Sequence, residues 1–265
     1  MTGDEITMRK KIVGLSLKNY INSLEKTREL MTTLNQRCGT EAQVEQFLFP
    51  SLGTISVAKE VLDKSSIQYG AQNISPYAKG AYTGEYSIET LIDYGGKFVE
   101  IGHNERKTIF LETDEMIHKK IELTLNYGLI PVVCIGEGNK KYETAVFYQL
   151  MKDQMTNYFH SIEAKSLKQV ILAYEPGWAI GQAQAAKGEY IHQAHQMIRT
   201  ILAELFGEEV AEEIRIIYGG SVSKDNAKEI INHPDVDGLF LGRFGHEPQN
   251  YQKILSIVKE NESEG

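Results

Sequence analysis

The chain has 265 residues, of which 42% are hydrophobic and 24% are charged, so it is long enough to bury a full core. Its formal net charge of −8 excludes the basic surface that binds nucleic acid or an anionic membrane. No apolar stretch reaches the length of about 18 residues that a membrane span requires, and the N-terminus lacks the apolar region of a signal peptide. We therefore expect a cytoplasmic protein that binds neither nucleic acid nor membranes.

The chain has two cysteines, Cys38 and Cys134, too few for a disulfide framework. Cys134 lies in the apolar segment Ile130 to Ile135, where a buried reduced thiol is ordinary. We predict that both cysteines pack in the core and do not react. No spacing of His, Cys and acidic side chains fits a metal site.

Short apolar segments alternate with longer amphipathic ones along the chain, a pattern typical of βα units around a parallel sheet. No linker divides the series, so we predict one α/β domain over residues 1–265, with frayed ends at about residues 1–7 and 259–265. The length is close to the roughly 250 residues of a (β/α)8 barrel. The predicted strands are Lys11 to Leu17, Val44 to Phe49, Ile67 to Gln72, Phe98 to Ile101, Ile130 to Ile135, Val170 to Tyr174, Ile214 to Tyr218 and Gly238 to Gly242. The clearest predicted helices are Ser23 to Gln36, Thr113 to Tyr127, Lys141 to Phe159, Tyr190 to Phe206, Lys224 to Ile231 and Tyr251 to Asn261.

The first predicted strand ends at Ser16-Leu17-Lys18-Asn19, where one lysine follows an apolar segment. A fixed positive charge at this place can anchor a phosphate or stabilise a developing oxyanion. A solvated lysine at the end of a strand is the plainer alternative.

The connection from Asn73 to Tyr86 is long, contains glycine and aromatic residues, and is not a tight turn. Loops of this length in compact domains usually serve function or form contacts. The tyrosines Tyr77, Tyr82 and Tyr86 suit a protein interface. We predict a contact between subunits in preference to a lid over a ligand.

After the strand Phe98 to Ile101, an imidazole at His103 precedes a charged turn that we predict to be helical. Unpaired N–H groups at a helix N-terminus disfavour the imidazolium form, so a neutral His103 can donate a hydrogen bond to a carbonyl oxygen. The alternative is a histidine that only caps the helix.

The segment Ala173-Tyr174-Glu175-Pro176-Gly177-Trp178-Ala179-Ile180-Gly181 places a carboxylate at the end of a predicted strand, where α/β folds hold their chemistry. Pro176 restricts the chain after Glu175, and the small residues that follow can close over a substrate and exclude water. This pattern predicts a general base beside a lid, and a plain Glu-Pro turn is the alternative.

The last two predicted strands are followed by Tyr218-Gly219-Gly220-Ser221-Val222 and by Leu241-Gly242-Arg243. Glycines before a serine allow backbone N–H groups to close on an anion, and the loops after strands seven and eight of barrels often bind phosphate. Together with Gly181, the two loops predict a phosphate site.

Taken in order, these motifs resemble those of triosephosphate isomerase over nearly the whole chain. The segments Gly70 to Asn73 and Gly80 to Glu85 are also similar to the third loop of that family, which reaches into the neighbouring subunit of a dimer. The resemblance implies a TIM barrel, a homodimer, a small phosphorylated sugar as substrate, and no cofactor or metal. The matching motifs are Lys18, Gly102-His103-Asn104-Glu105-Arg106, Cys134-Ile135-Gly136-Glu137, Ala173 to Gly181 and Tyr218 to Val222.

The resemblance also implies roles in the glycolytic and gluconeogenic interconversion of dihydroxyacetone phosphate and glyceraldehyde 3-phosphate. Glu175 matches the base that moves a proton between adjacent carbons, and His103 matches the neutral electrophile that polarises the carbonyl. Lys18 matches the cation that supports the enediolate, and Glu105 resembles the second glutamate near that lysine. The positions matched to the phosphate site are Gly181, Ser221, Gly242 and, less directly, Arg243.

Four departures from the usual family sequence bear on the substrate. Ser16, Phe240 and the Gly-Arg pair resemble a side branch that converts L-erythrulose 1-phosphate to D-erythrulose 4-phosphate with the same catalytic residues. A four-carbon substrate is therefore the alternative to the triose. The changed positions are Ser16-Leu17 for Asn-Trp, Asn104 for Ser, Gln182-Ala183-Gln184-Ala185 for a Thr-Gly lid ending, and Phe240-Leu241-Gly242-Arg243 for Leu-Val-Gly-Gly.

Two other classes of function fit the sequence less well. A glycosidase on a barrel needs a second carboxylate about 5 to 9.5 Å from Glu175, and Glu105 is the obvious candidate among the strand ends. A catalytically silent phosphate-binding barrel would keep the Gly-Gly-Ser loop without needing Lys18 and His103 beside Glu175. Their joint presence favours an isomerase.

Overall fold

Eight parallel strands close into one barrel in the computed structural model, which describes residues 9–138, 142–179 and 186–264, with side chains through residue 261. Each strand pairs with its neighbour along the chain, and the eighth pairs with the first, Ile12 opposite Gly238 and Leu15 opposite Leu241. The predicted (β/α)8 barrel is confirmed. Within the described residues, no helix is both long and apolar enough to cross a lipid bilayer.

The strands are short and almost fully buried, since the barrel interior covers one face and the helices cover the other. Their ends agree with the sequence prediction to within one residue. The bounds are β1 Ile12–Ser16, β2 Glu45–Phe49, β3 Ile67–Ala71, β4 Phe98–Ile101, β5 Ile130–Ile135, β6 Ile171–Tyr174, β7 Arg215–Tyr218 and β8 Gly238–Leu241.

The longer predicted helices are all present, and two begin at hydroxyl residues that cap them. The Ser23 side chain accepts a hydrogen bond from the N–H of Lys26, and Thr113 accepts one from Met116. The sequence did not distinguish several short helices, because one or two turns carry no full amphipathic period. The bounds are α1 Leu24–Cys38, α2 Ile55–Leu62, α3 Ile88–Asp93, α4 Asn104–Thr108, α5 Asp114–Asn126, α6 Thr144–Phe159, α7 Ala164–Leu167, α8 Gly188–Phe206, α9 Glu208–Glu213, α10 Ala227–Ile231 and α11 Pro248–Glu264.

Apolar side chains form two cores, one inside the barrel and a larger one between the strands and the helices. Phe47 occupies the interior, where its ring centroid lies 4.9 Å from that of Phe98 and 5.7 Å from that of Phe240. Both cysteines are buried free thiols, and burial raises the pKa of Cys38 to about 11. Side chains therefore fill the barrel interior at the level of Phe47.

Candidate active site

A cavity of about 600 Å³ opens at the carboxyl ends of the strands. Side chains from the ends of β1, β4, β6, β7 and β8 converge on it, because parallel strands in a barrel deliver all their carboxyl ends to one rim. Gly181 lies outside the described residues. The other predicted site residues all line this cavity, namely Lys18, His103, Glu105, Glu175, Ser221, Gly242 and Arg243.

Lys18 follows β1 in a backbone conformation that non-glycine residues seldom adopt, with φ of 47°. The side-chain amide of Gln72 donates a hydrogen bond to the Lys18 carbonyl at 2.9 Å, which helps to hold that conformation. Nζ donates to Glu105 Oε1 at 2.6 Å. Burial acts to lower the pKa of Lys18, but the hydrogen bond and charge of Glu105 outweigh it and raise the pKa above its ordinary value. Lys18 is therefore a fixed cation at the edge of the cavity.

His103 both caps α4 and faces the cavity, so the two alternatives drawn from the sequence are compatible. Nδ1 accepts a hydrogen bond from the backbone N–H of Glu105 at 3.1 Å. A ring nitrogen that accepts a hydrogen bond carries no proton, so a proton on this ring is on Nε2. Nε2 lies 3.5 Å from Glu175 Oε1. The ring is therefore arranged to donate a hydrogen bond into the cavity.

Glu175 is buried at the end of β6, and its backbone N–H donates to the carbonyl of Ile135 at 2.8 Å. The chain approaches the side chain closely at Gly219, where an added Cβ would lie only 2.8 Å from Glu175 Cγ. Oε2 is buried and has no hydrogen-bond partner among the described residues. A buried carboxylate oxygen without a partner is suited to accept a proton from a bound molecule.

The opposite end of the cavity is formed by the loops after β7 and β8. Ser221 Oγ donates to the carbonyl of Ala179 at 2.9 Å, which connects the loop after β7 to the start of the predicted lid. Apart from its chain neighbours, no described residue has an atom within 4 Å of the place that a Cβ of Gly242 would occupy, so these residues leave the backbone there open to a ligand. The Arg243 guanidinium lies 5.5 Å from the centre of the Tyr20 ring, at the mouth of the cavity.

The cavity also holds a buried carboxyl that the sequence did not single out. Glu100 is 3% exposed, lies within β4 and lines the cavity together with Glu175. A carboxylate oxygen of Glu100 lies within 4.8 Å of a carboxylate oxygen of Glu175. Glu100 is thus a carboxyl beside Glu175 that lies within a strand, whereas Glu105 follows one. The available signal was a single charged residue inside the apolar strand Phe98 to Ile101.

Glu100, Cys134 and Glu175 are close enough together for all three to contact one metal ion. The chemistry of these donors fits a metal poorly. Burial raises the pKa of the Cys134 thiol well above its usual value, whereas a thiol ligand must be deprotonated.

The sequence model of triosephosphate isomerase matches residues 11–258. The chain belongs to the triosephosphate isomerase family. A protein from Listeria monocytogenes named "Probable triosephosphate isomerase 2" is 47% identical over 251 residues, covering 95% of this chain and 98% of that protein. The "Triosephosphate isomerase" of Chloroherpeton thalassium is 38% identical over 96% of this chain and 100% of that protein. The corresponding protein of Dictyoglomus thermophilum is 36% identical over 94% of this chain and 99% of that protein.

The resemblance predicted from the motifs is thereby confirmed, and with it the class of enzyme. Triosephosphate isomerases are intramolecular oxidoreductases that isomerise phosphorylated sugars, so the chain is an isomerase of this class. The glycosidase alternative is excluded by the same finding.

Proposed function

We propose that this isomerase interconverts dihydroxyacetone phosphate and glyceraldehyde 3-phosphate by proton transfer through an enediolate, without a cofactor or metal. The single observation that carries the proposal is the pairing of His103 Nε2 with Glu175 Oε1 at 3.5 Å, in the cavity that Lys18 also lines. Shifting a carbonyl between adjacent carbons needs a base, a hydrogen-bond donor to the oxygen and a positive charge for the intermediate. Each of the three residues supplies one of these.

The proposed reaction begins when the Glu175 carboxylate removes a proton from the carbon next to the carbonyl. The electron pair of that C–H bond forms the C=C bond of the enediolate, and the carbonyl electrons move to the oxygen. His103 donates its Nε2–H hydrogen bond to this oxygen while Lys18 stabilises the negative charge. Glu175 then returns the proton to the former carbonyl carbon, the hydroxyl proton of the first carbon moves to the former carbonyl oxygen, and the new carbonyl forms at the first carbon.

The phosphate group of the substrate is proposed to lie on Gly181, Ser221 and Gly242, with Arg243 as an additional cation. Backbone N–H groups of glycine-rich loops form good anion sites, and the loops after β7 and β8 line the same cavity as the base. A guanidinium at the mouth adds a charge that the phosphate dianion can meet directly.

A homodimer is also proposed, built through the loop Asn73 to Tyr86. Tyr77 and Tyr82 are 42% and 41% exposed and stack with ring centroids 4.4 Å apart, forming a rigid projection. A second cavity of about 370 Å³ adjoins the active site and is lined by polar and aromatic side chains that include Phe110. We expect the loop of one protomer to enter this cavity on the other. A cytoplasmic location is part of the proposal, because glycolytic sugar phosphates are its substrates.

The test is a steady-state assay of the purified chain on glyceraldehyde 3-phosphate and, side by side, on the erythrulose phosphates. Both reactions would use Lys18, His103 and Glu175, so the two substrates are distinguished by comparing their kcat/KM values. A preference for the triose supports the proposed reaction. A preference for the four-carbon substrate would replace it with the tetrulose reaction, and a chain inactive on both would be a phosphate-binding barrel.

A further inference from the structure

Two carboxyl groups share the floor of the active-site cavity. The Glu175 carboxyl faces His103, and carboxylate oxygens of Glu100 and Glu175 lie within 4.8 Å of one another. Both side chains are buried, at 3% and 5% exposure. Two carboxylates this close and this little exposed repel each other, so one of them keeps its proton near neutral pH.

The surroundings indicate which carboxyl is protonated. Glu100 forms no ion pair with a Lys or Arg of the described residues, and its polar contact is Ser16 Oγ, which donates to Oε2 at 3.3 Å. Burial, with the nearby Glu175 adding to its effect, raises the pKa of Glu100 to about 7. The charge of Lys18 is directed to Glu105. Glu100 is therefore the carboxyl of this pair whose surroundings favour the protonated form.

The remaining groups around Glu100 do not supply another partner. The titratable or charged groups facing it are Lys18 after β1, His103 after β4, Cys134 in β5 and Glu175 after β6. Since Oε2 accepts from Ser16, the proton of the neutral carboxyl resides on Oε1, which has no hydrogen-bond partner among the described residues. Glu100 lines the cavity and Oε1 is not shut off from it, so a bound ligand can accept this hydrogen bond.

We propose that Glu100 is a further substrate-contacting residue of this isomerase, whose protonated carboxyl donates a hydrogen bond to an oxygen of the bound sugar phosphate while Glu175 remains the ionised base. The inference rests on the proposed isomerase function and deepens it. A neutral acid in this place adds a donor for the oxygen atoms of the substrate without placing a second negative charge beside the enediolate.

The proposed role of Glu100 makes kcat depend on pH. Below a pH of about 7 Glu100 is neutral and donates, and as the pH rises through about 7 it loses its proton. The donor is then lost, and a second negative charge stands beside Glu175. We expect kcat of the wild-type protein to fall as the pH rises through this range.

The test compares the pH profiles of kcat and KM for the wild-type protein, Glu100→Gln and Glu100→Leu, from about pH 5.5 to 9. The glutamine amide can donate but cannot ionise, so the fall near pH 7 is expected to disappear. The leucine cannot donate, so kcat is expected to drop by about 10- to 100-fold at every pH, with a smaller change in KM. Glu122→Gln is the control, since it removes an exposed carboxylate of α5 away from the cavity, and it is expected to keep the wild-type pH profile.

An unchanged alkaline fall in Glu100→Gln, or a wild-type kcat in Glu100→Leu, would overturn the inference. If Glu100→Leu fails to fold, as judged by circular dichroism, the profile of Glu100→Gln still decides. A wild-type protein inactive on both triose and tetrulose phosphates would overturn the proposed function together with this inference. An active wild-type protein with indifferent Glu100 variants would overturn the inference alone.

Discussion

At the scale of single residues, the proposed chemistry depends on where the Glu175 carboxyl ends. Its side chain is held by burial and by the close approach of Gly219, and its Oε2 is buried without a hydrogen-bond partner among the described residues. The substrate carbon must be within reach of this oxygen for proton transfer, and a misplacement of about 1 Å can cost about 100-fold in rate. The position of the carboxylate oxygen therefore matters as much as the presence of a carboxylate.

Glu175→Asp keeps the carboxylate and retracts it by about one C–C bond. We expect kcat to fall by about 100-fold or more, while the affinity for a phosphorylated inhibitor changes little. Steady-state kinetics and inhibitor titration measure the two quantities separately. An unchanged kcat would remove Glu175 from the role of base.

The Arg243 guanidinium lies over the ring of Tyr20, so its contact with a bound phosphate has to be tested directly. If it also contacts the phosphate, Arg243→Gly is expected to weaken the binding of inorganic phosphate or a sugar phosphate by about 10-fold, and less so at high salt. Arg28→Gly, which removes an arginine paired with Glu60 on the outer helices, is the matched control. Equal affinities over a salt series would assign Arg243 to solvent.

At the scale of elements, a buried ion network joins the start of the long loop to the helix α5. Lys120 Nζ donates to Glu112 Oε1 at 2.6 Å and to Asn73 Oδ1 at 2.8 Å, and both Lys120 and Glu112 are buried. The first residue of the predicted subunit loop is therefore anchored in its own protomer, and the exposed part begins later, around Tyr77. This division was not evident from the loop sequence.

Lys120→Met tests the network, because it leaves the Glu112 carboxylate buried with one partner fewer. We expect the free energy of unfolding to fall by about 3 to 5 kcal/mol, as measured by denaturant titration. Lys119→Met is the neighbouring control, since that lysine is partly exposed and pairs with Glu115 on the surface of the same helix. A loss as small as that of the control would mean that the buried pair contributes little.

At the scale of the whole molecule, the proposed dimer uses exposed aromatic residues next to the active site. The segment Ile109 to Leu111 is also exposed, at 64% or more for each residue, and Phe110 borders the second cavity. Apolar side chains exposed together around a polar cavity are typical of an interface. A dimer would bury them and reduce the access of water to the neighbouring Lys18 and His103.

The double substitution of Tyr77→Asp and Tyr82→Asp is expected to convert the dimer to a monomer in sedimentation velocity, because it places two charges in the predicted contact. Val146→Asp, at an exposed apolar position on α6, is the control and is expected to leave the sedimentation coefficient unchanged. A wild-type monomer, or a dimer that survives the double substitution, would contradict the proposed interface.

The sequence by itself determined the barrel and the positions of its chemistry. The predicted strand boundaries agree with the structure to within one residue, because short β-branched segments flanked by glycine and polar residues seldom form anything but strands. Lys18, His103 and Glu175 could be singled out because each follows such a segment and so had to emerge at the rim. Short helices such as α7 and α9 could not, since a few residues do not reveal a period.

Only the tertiary structure decided how these residues meet. Closing the sheet brings the ends of β1, β4 and β6 together, and the distance of 3.5 Å between His103 and Glu175 depends on that closure. The role proposed for Glu100 could not be predicted from the sequence either, because it depends on the nearby Glu175 carboxyl and on the burial of both side chains. Proximity and desolvation are properties of the folded chain, and they set which carboxyl is ionised.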